Sequence, residues 1–310
     1  GRKPKREAEA RTKQILEQFY QKTQGEITRS FVSRMITRLE SEQSVKEYLD
    51  IMDHRKTEQL IDTLDKVEQN RKECYIREFS IEHFHDSKVF ETLIPKICKI
   101  FREENEELTG FENEEILAEY QIYKTPGYVY MKGNVQIYSA GKQAADISAF
   151  PEGIAVAVGS EEDVPDICPD QTIDKVFTIE NLTSFYRFKQ EHSLVIYLGG
   201  YHNHSRRNLL MQIYQKLPDA QYYHFGDLDA GGFYILEHLK RKTGIPFQMF
   251  QMDIETLKKY EDYAKPLTEN DKKRLMQLEK MELPDEERKL ITYMLQKGIK
   301  LEQECISESQ

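Results

Sequence analysis

The chain has 310 residues, of which 39% are hydrophobic and 32% charged, with a formal net charge of −10. This length fits two or three domains, and the composition is typical of a water-soluble protein with much exposed helix. No apolar run approaches the roughly 20 residues that span a bilayer, and the basic start lacks the apolar stretch of a secretory signal, so we expect a cytoplasmic protein without membrane contact. The acidic total argues against a protein that coats nucleic acid, but it leaves room for an enzyme that acts on DNA.

The first predicted region, residues 1–72, is a helical arm. Apolar residues recur at helical spacing within 15–20, 31–39, 45–52 and 60–67, which predicts amphipathic helices with charged outer faces. Gly25 and Ser44 are the expected breaks between helices. Such an arm suits dimerisation or the docking of a partner, and a plain helical subdomain fits equally.

The second predicted region, residues 73–170, mixes helix and strand. The stretch "FETLIPKICKIFREEN" predicts a short amphipathic helix, "GYVYMKGNVQIYS" a β-hairpin around Gly133 and Asn134, and "GIAVAVG" a further strand. Helices followed by a small hairpin are the composition of a winged-helix domain, although many α+β domains share it. We therefore predict a winged-helix-like α+β domain here.

The third predicted region, residues 171–310, alternates strands with helices. Predicted strands begin at "KVFTIE", "SLVIYLGG", "QYYHFGDLD" and "PFQMFQMD", and helical segments separate them. This alternation predicts a parallel sheet flanked by helices, with further helices at the C-terminal end. The predicted fold class is therefore a multidomain α/β protein.

Acidic residues stand where three of these four strands end. The first strand ends at Glu180, the third at Asp227 and Asp229, and the fourth at Asp253. Side chains two residues apart in an extended chain share a face, and the strand ends of a parallel sheet meet at one edge. Carboxylates gathered there repel one another unless a cation lies between them, and Mg²⁺ or Mn²⁺ suits such oxygen ligands. Glu180, Asp227 and Asp229 are thus the predicted metal ligands and catalytic residues, whereas Asp253 is predicted to cap the following helix.

Other interpretations of the Asp-x-Asp stretch remain open. The stretch also fits an ordinary turn, with Gly231 and Gly232 letting the backbone fold tightly. Haloacid-dehalogenase-type phosphatases use Asp-x-Asp on their first strand, with a hydroxylic or branched residue where Gly231 stands. Nucleotide-sugar transferases also use Asp-x-Asp, usually without a glutamate on the first strand.

Several motifs resemble known families. "VFTIENLTSF", "LVIYLGG" and "YYHFGDLDAGGFYIL" resemble a Toprim domain, the metal-binding nuclease module of topoisomerases and primases. Toprim domains carry a glutamate on the first strand and Asp-x-Asp on the third, where this chain has Glu180, Asp227 and Asp229. In addition, "REFSIEHFHDSKVFE" and "KGIKLEQE" resemble the JetD subunit of the Wadjet plasmid-defence system, which is related to the topoisomerase VI A subunit.

The resemblance implies a winged-helix-like domain followed by a Toprim domain, a homodimer, and cleavage of double-stranded DNA. It also implies a condensin-like SMC partner complex that selects circular plasmid DNA. Topoisomerase VI attacks DNA with a tyrosine in an Arg-Glu-x-Tyr-Tyr stretch, and the best match here places Ser80 and Ile81 where the tyrosines would fall, with Tyr75 nearby. We therefore expect hydrolysis by water, a free 5′ phosphate and no religation.

Three basic residues are secondary candidates for nucleic-acid contacts. They are Lys88, in "HDSK", and Arg206 and Arg207, which open a predicted helix. Basic side chains and helix starts commonly contact phosphates, although a solvated helix end explains the two arginines equally. Two rival functions also remain: a DNA-binding or scaffolding subunit with a non-catalytic Toprim fold, and a metal-dependent phosphatase or nucleotide transferase.

Overall fold

The computed structural model describes residues 2–124, 127–158, 165–199 and 204–306. The chain is a mixed α/β protein that divides into two compact units, residues 1–125 and 126–310. This division differs from the boundaries predicted at 72/73 and 170/171, since it falls inside the predicted middle domain. The reason lies in two strands of that segment, which join the sheet of the C-terminal unit.

The N-terminal unit is built mainly from helices. Gly25, in extended conformation, separates the first two helices and is the N-cap residue of the second, as predicted. The two short strands of this unit pair in parallel with each other. The elements are α1 (Arg2–Lys22), α2 (Glu26–Glu40), α3 (His54–Gln69), β1 (Cys74–Tyr75), α4 (Ile76–Phe84), α5 (Val89–Glu104), α6 (Asn113–Glu119) and β2 (Ile122–Tyr123).

The helical spacing within residues 45–52 does not produce a helix. The segment forms turns between α2 and α3, although Val45, Tyr48 and Leu49 are buried as the periodicity implied. The Asp50 side chain accepts a hydrogen bond from the Met52 amide at 3.0 Å. Such local bonds from side chain to backbone compete with helix formation, so this prediction was wrong about the backbone. It was right about the burial of these three residues and wrong about Met52, which is exposed.

The C-terminal unit contains the main sheet. Six strands lie in the order β11-β10-β8-β9-β3-β6, of which β8 to β11 pair in parallel and β3 and β6 are antiparallel. The elements are β3 (Gly127–Lys132), β4 (Val135–Ser139), β5 (Lys142–Asp146), β6 (Ile154–Val158), β7 (Asp166–Pro169), β8 (Lys175–Ile179), α7 (Leu182–Arg187), β9 (Ser193–Tyr197), α8 (His204–Lys216), β10 (Gln221–Phe225), α9 (Ala230–Thr243), β11 (Gln248–Met249), α10 (Ile254–Lys259), β12 (Lys265–Pro266), α11 (Glu269–Leu278), α12 (Asp285–Lys297) and β13 (Ile299–Lys300).

The hairpin predicted around Gly133 and Asn134 is not formed. Strand β3 joins the main sheet, whereas β4 pairs with β5 and β7 in a separate three-stranded sheet. Gly133 has φ of 138°, and a Cβ there would stand 2.5 Å from the Ser193 carbonyl oxygen. Glycine therefore lets the chain leave one sheet for the other at a close backbone approach. The winged-helix character of residues 73–170 stays a prediction.

The alternation predicted for the third region is confirmed. Strands β8, β9 and β10 are buried along nearly their whole length, as central parallel strands are. Aromatic residues, including Phe177, Phe185, Phe188 and Phe225, fill the core beside them. Because β8 and β10 are parallel neighbours in register, with Ile179 opposite Phe225, their ends lie side by side.

Candidate active site

The ends of β8 and β10 bring two of the predicted acids together. Glu180 continues the ladder beyond β8, since its amide donates to the Phe225 carbonyl oxygen at 3.0 Å. The amide of Asp227 donates in turn to Oε2 of Glu180 at 3.2 Å. The expectation that parallel strands would join these two carboxylates at one edge is therefore met by the backbone geometry.

Asp229 lies two residues after Asp227, at the start of α9. Its side chain accepts a hydrogen bond from the Gly232 amide at 2.8 Å and so caps this helix. A Cβ on Gly232 would stand 2.1 Å from the Asp227 carbonyl oxygen, so only glycine permits this turn. Gly232 thus permits the tight connection between strand and helix on which the two aspartates lie.

A segment near the C-terminus closes over the same edge. Leu301 pairs with Leu228 through two backbone hydrogen bonds. The fully buried Gln303 donates from its backbone amide to Oδ1 of Asp227 at 2.6 Å. Its side chain accepts from the Asn181 amide at 2.9 Å and donates to the Phe225 carbonyl oxygen at 3.0 Å. Gln303 therefore ties the two strand ends to each other.

The site is strongly acidic. Burial raises the pKa of the Asp227 carboxyl to about 6; the Gln303 amide lowers it, and the charges of Asp229, Glu304 and Glu302 raise it further. Glu304 accepts a hydrogen bond from the side-chain amide of Asn181, while Glu302 pairs with Lys265 at 2.5 Å. A carboxylate that is partly desolvated among like charges is poised to bind a cation.

A buried histidine lies beneath the acids. Nδ1 of His224 is 2.9 Å from the Thr178 hydroxyl, and burial, with a smaller contribution from Lys240, lowers the pKa of His224 to about 3. A Cβ on Gly226 would stand 2.6 Å from Oε2 of Glu180 and 2.8 Å from Nε2 of His224. The two side chains therefore face the same small space above Gly226.

Within the described ranges, no group of three or more His, Cys, Asp or Glu side chains stands ready to hold a metal ion. Asp227 and Asp229 each use Oδ1 in a backbone hydrogen bond, and across the same ranges neither Oδ2 accepts one. Metal binding by Glu180, Asp227 and Asp229 accordingly stays a prediction.

The basic candidates lie in different settings. Lys88 is exposed in the N-terminal unit, just before α5. Arg206 donates to the Leu198 carbonyl oxygen at 2.5 Å, and Arg207 is only 7% exposed, beside His238. Arg207 thus offers little surface to a phosphate in this conformation. Contact of these three residues with nucleic acid stays a prediction.

Two further residues have structural roles. Asp253 caps α10 by accepting from the Thr256 amide at 2.7 Å, as predicted. Ser80 is fully buried and joins α4 to α5, because its hydroxyl donates to the Asp86 carbonyl oxygen and accepts from the Phe90 amide. Ser80 therefore does not face solvent at the position that a nucleophile would need.

Sequence reasoning missed Gln303 and His224. Gln303 lies 122 residues from its partner Asn181, so no local pattern connects them. Its only signal was its place between Glu302 and Glu304 in the "LEQE" motif. His224 looked like one more member of an aromatic strand, and its contact with Thr178 follows only from the strand register.

No helix in the described part of the chain is long and apolar enough to cross a membrane.

Comparison with known proteins relates the chain to one family. Residues 162–310 match the family model described as Wadjet protein JetD, C-terminal. The Wadjet protein JetD of Bacillus cereus (strain Q1) is 28% identical over 263 residues, which are 83% of this chain and 63% of that protein. The chain thus spans less than two thirds of this relative. The resemblance found in the motifs is confirmed, and the chain is similar to JetD proteins.

Proposed function

We propose that this protein is a Mg²⁺-dependent endonuclease, also active with Mn²⁺, that cleaves double-stranded plasmid DNA by hydrolysis. The observation that carries the proposal is the meeting of Glu180 and Asp227 at neighbouring parallel strand ends, with Asp229 on the turn that follows. This is the arrangement expected of the Toprim domain that the motifs resemble. Glu180, Asp227 and Asp229 are the proposed metal ligands and catalytic residues.

The donor set fits a hard divalent cation. Carboxylate oxygens are the ligands that Mg²⁺ prefers, and the ion keeps several waters, so a few protein ligands suffice. The raised pKa of Asp227, caused first by burial and also by neighbouring acids, describes a carboxylate whose charge lacks compensation. When bound, Mg²⁺ would supply the Lewis-acid chemistry that phosphodiester hydrolysis needs.

The chain itself holds the acids in place. Gln303 and the ladder between Glu180 and Phe225 fix the two strand ends, and the cap made by Asp229 fixes the turn. Pre-positioned carboxylates lower the reorganisation needed at the moment of reaction. Since the best match to the topoisomerase VI stretch places Ser80, which is buried, at the position of a tyrosine, we propose attack by water and products with a free 5′ phosphate.

The partners are proposed from the family. The relative's name places it in the Wadjet system, and we propose a role in plasmid defence for this chain, as the nuclease subunit of an SMC-type complex in the cytoplasm. A homodimer, a DNA-holding role for residues 73–170, and partner docking by residues 1–72 belong to the same proposal.

The test is a nicking and linearisation assay on supercoiled plasmid. Wild type is incubated with Mg²⁺, with Mn²⁺ or with EDTA, beside Glu180→Gln and the control Asp253→Asn, which alters a helix-capping carboxylate outside the site. We expect metal-dependent cutting by wild type and by the control, at least about 100-fold slower cutting by Glu180→Gln, and 5′ phosphate ends. Equal cutting by Glu180→Gln, or a protein-linked DNA end, would contradict the proposal.

A second candidate function is a non-catalytic scaffold or DNA-binding subunit. It is favoured by one observation, that the described residues contain no ready cluster of three metal ligands. Under this alternative, wild type retains plasmid in a binding assay but neither cuts it nor binds Mn²⁺.

A further inference from the structure

His224 occupies a central place in the main sheet. It lies on β10 directly opposite Thr178 on β8, and both side chains are fully buried. The ring approaches the Thr178 hydroxyl through Nδ1, at 2.9 Å. One side of the imidazole is therefore anchored to the strand that ends in Glu180.

The other side of the ring has no such anchor. Among the described residues, Nε2 of His224 is buried and has no hydrogen-bond partner. A buried polar atom without a partner is costly, and in native proteins it calls for an explanation. Nε2 faces the space above Gly226, which Oε2 of Glu180 also faces.

These contacts indicate which nitrogen of the His224 ring carries the hydrogen. The ring is buried and neutral, so one nitrogen carries hydrogen and the other a lone pair. The Thr178 hydroxyl has two acceptors within reach, Nδ1 of His224 at 2.9 Å and the Tyr223 carbonyl oxygen at 3.3 Å. When it donates to Nδ1, the nearer of the two, the ring hydrogen stays on Nε2, on the side of a carboxylate. A carboxylate is a strong acceptor, so this tautomer suits the surroundings of the ring best.

We propose that His224 is a positioning residue for Glu180, holding its carboxylate through an Nε2–H hydrogen bond when the site binds a divalent cation. Oε2 of Glu180 already accepts the Asp227 amide at 3.2 Å, and the imidazole supplies a second, buried donor. Such outer partners orient metal ligands and are worth about 10–100-fold in metal affinity. The role rests on the proposed function, because that function makes Glu180 a ligand.

Two substitutions separate this role from a purely structural one. In Gln, the side-chain amide reaches the position of Nε2, whereas in Asn it reaches the position of Nδ1. His224→Gln therefore keeps a donor toward Glu180 and loses the Thr178 contact, and His224→Asn does the reverse. The same changes at His238, a buried histidine on α9, are matched controls.

The readout is Mn²⁺ affinity by calorimetry on the full chain, with thermal midpoints to confirm folding. We expect His224→Asn to bind Mn²⁺ at least about tenfold more weakly than wild type, and His224→Gln and both His238 variants to remain within about threefold. If His224→Asn does not fold, His224→Leu tests the same link, since leucine fits a buried site and offers no donor toward Glu180; we expect about tenfold weaker binding from it than from His224→Gln.

The outcomes are distinguishable. Wild-type affinity in His224→Asn, or equal losses in His224→Asn and His224→Gln, would overturn the role of His224 while leaving the metal site intact. Absence of Mn²⁺ binding by wild type itself would overturn the metal site, and with it this role.

Discussion

Each unit of the molecule contains a carboxylate removed from solvent, and their surroundings are opposite. Glu68, in the N-terminal unit, accepts hydrogen bonds from the amides of Ile27 and Thr28 and from the Thr28 hydroxyl, each at 2.8 Å. Asp227, in the C-terminal unit, accepts one amide and faces further acids. The first is satisfied by the start of a helix, where negative charge is favoured. The negative charge of Asp227 is not compensated within the chain, and we expect a ligand to compensate it.

The largest expected difference between the two carboxylates is in catalysis. We predict that Asp227→Asn slows plasmid cutting by at least about 100-fold, because the amide cannot hold a divalent cation. Glu68→Gln should leave the cutting rate per folded molecule unchanged. Initial rates of linearisation with Mn²⁺ measure this, and similar losses in both variants would remove the distinction.

For the stability of the N-terminal unit, we expect the substitution of Glu68 to matter and that of Asp227 not to. Glu68→Gln loses a charge that accepts three hydrogen bonds and turns an amide group toward donors, which should cost about 2–4 kcal/mol. Hydrogen exchange of the α2 amides in the intact chain measures this local free energy of unfolding. The exposed Glu58, on the same helix as Glu68, provides the control Glu58→Gln, and equal protection in both variants would contradict the structural role of Glu68.

The titration of Asp227 also makes the stability of the protein depend on pH. Because the folded pKa of Asp227, about 6, lies above its ordinary value of 3.8, the folded protein holds this proton more tightly than the unfolded chain does. The resulting stability is complete below about pH 4 and is lost as the pH rises through about 6.

We therefore predict that metal-free Asp227→Asn is more stable than wild type by about 3 kcal/mol at pH 7.5, and that the difference vanishes toward pH 4. Denaturant unfolding in EDTA at several pH values measures it. Asp253→Asn, which alters a helix cap instead, should show no such gain. A stability gain from Asp227→Asn that grows toward acid pH would show that the carboxylate is stabilised by the fold.

The smallest expected effect concerns DNA binding. Lys88 is exposed and free to approach a phosphate, so Lys88→Ala should weaken binding by less than about tenfold and reduce the slope of log affinity against log salt by about one. Lys56→Ala, at an exposed lysine on α3, is the control. Equal salt slopes for both variants would show that Lys88 does not contact DNA phosphates.

Local sequence patterns predicted the parallel strands and the acidic residues at their ends. Burial in a parallel sheet makes β8, β9 and β10 rich in apolar and aromatic residues, and strand ends followed by acids and glycines identified Glu180, Asp227 and Asp229 as neighbours. The exchange of sheets at Gly133 escaped prediction, because alternation in β3 and β4 looks the same whether the strands pair with each other or apart. Gln303 and His224 escaped for a related reason, since their contacts depend on pairings between distant parts of the chain.

The most direct test of the metal site is a crystal of the wild-type protein soaked in Mn²⁺ and measured for anomalous scattering. We predict one strong peak or a close pair of peaks at the edge of the main sheet, coordinated by oxygens of Glu180, Asp227 and Asp229. The corresponding crystal of Asp227→Asn should lack it. A fully occupied Mn²⁺ site elsewhere, or no peak between these carboxylates at saturating Mn²⁺, would contradict the central claim.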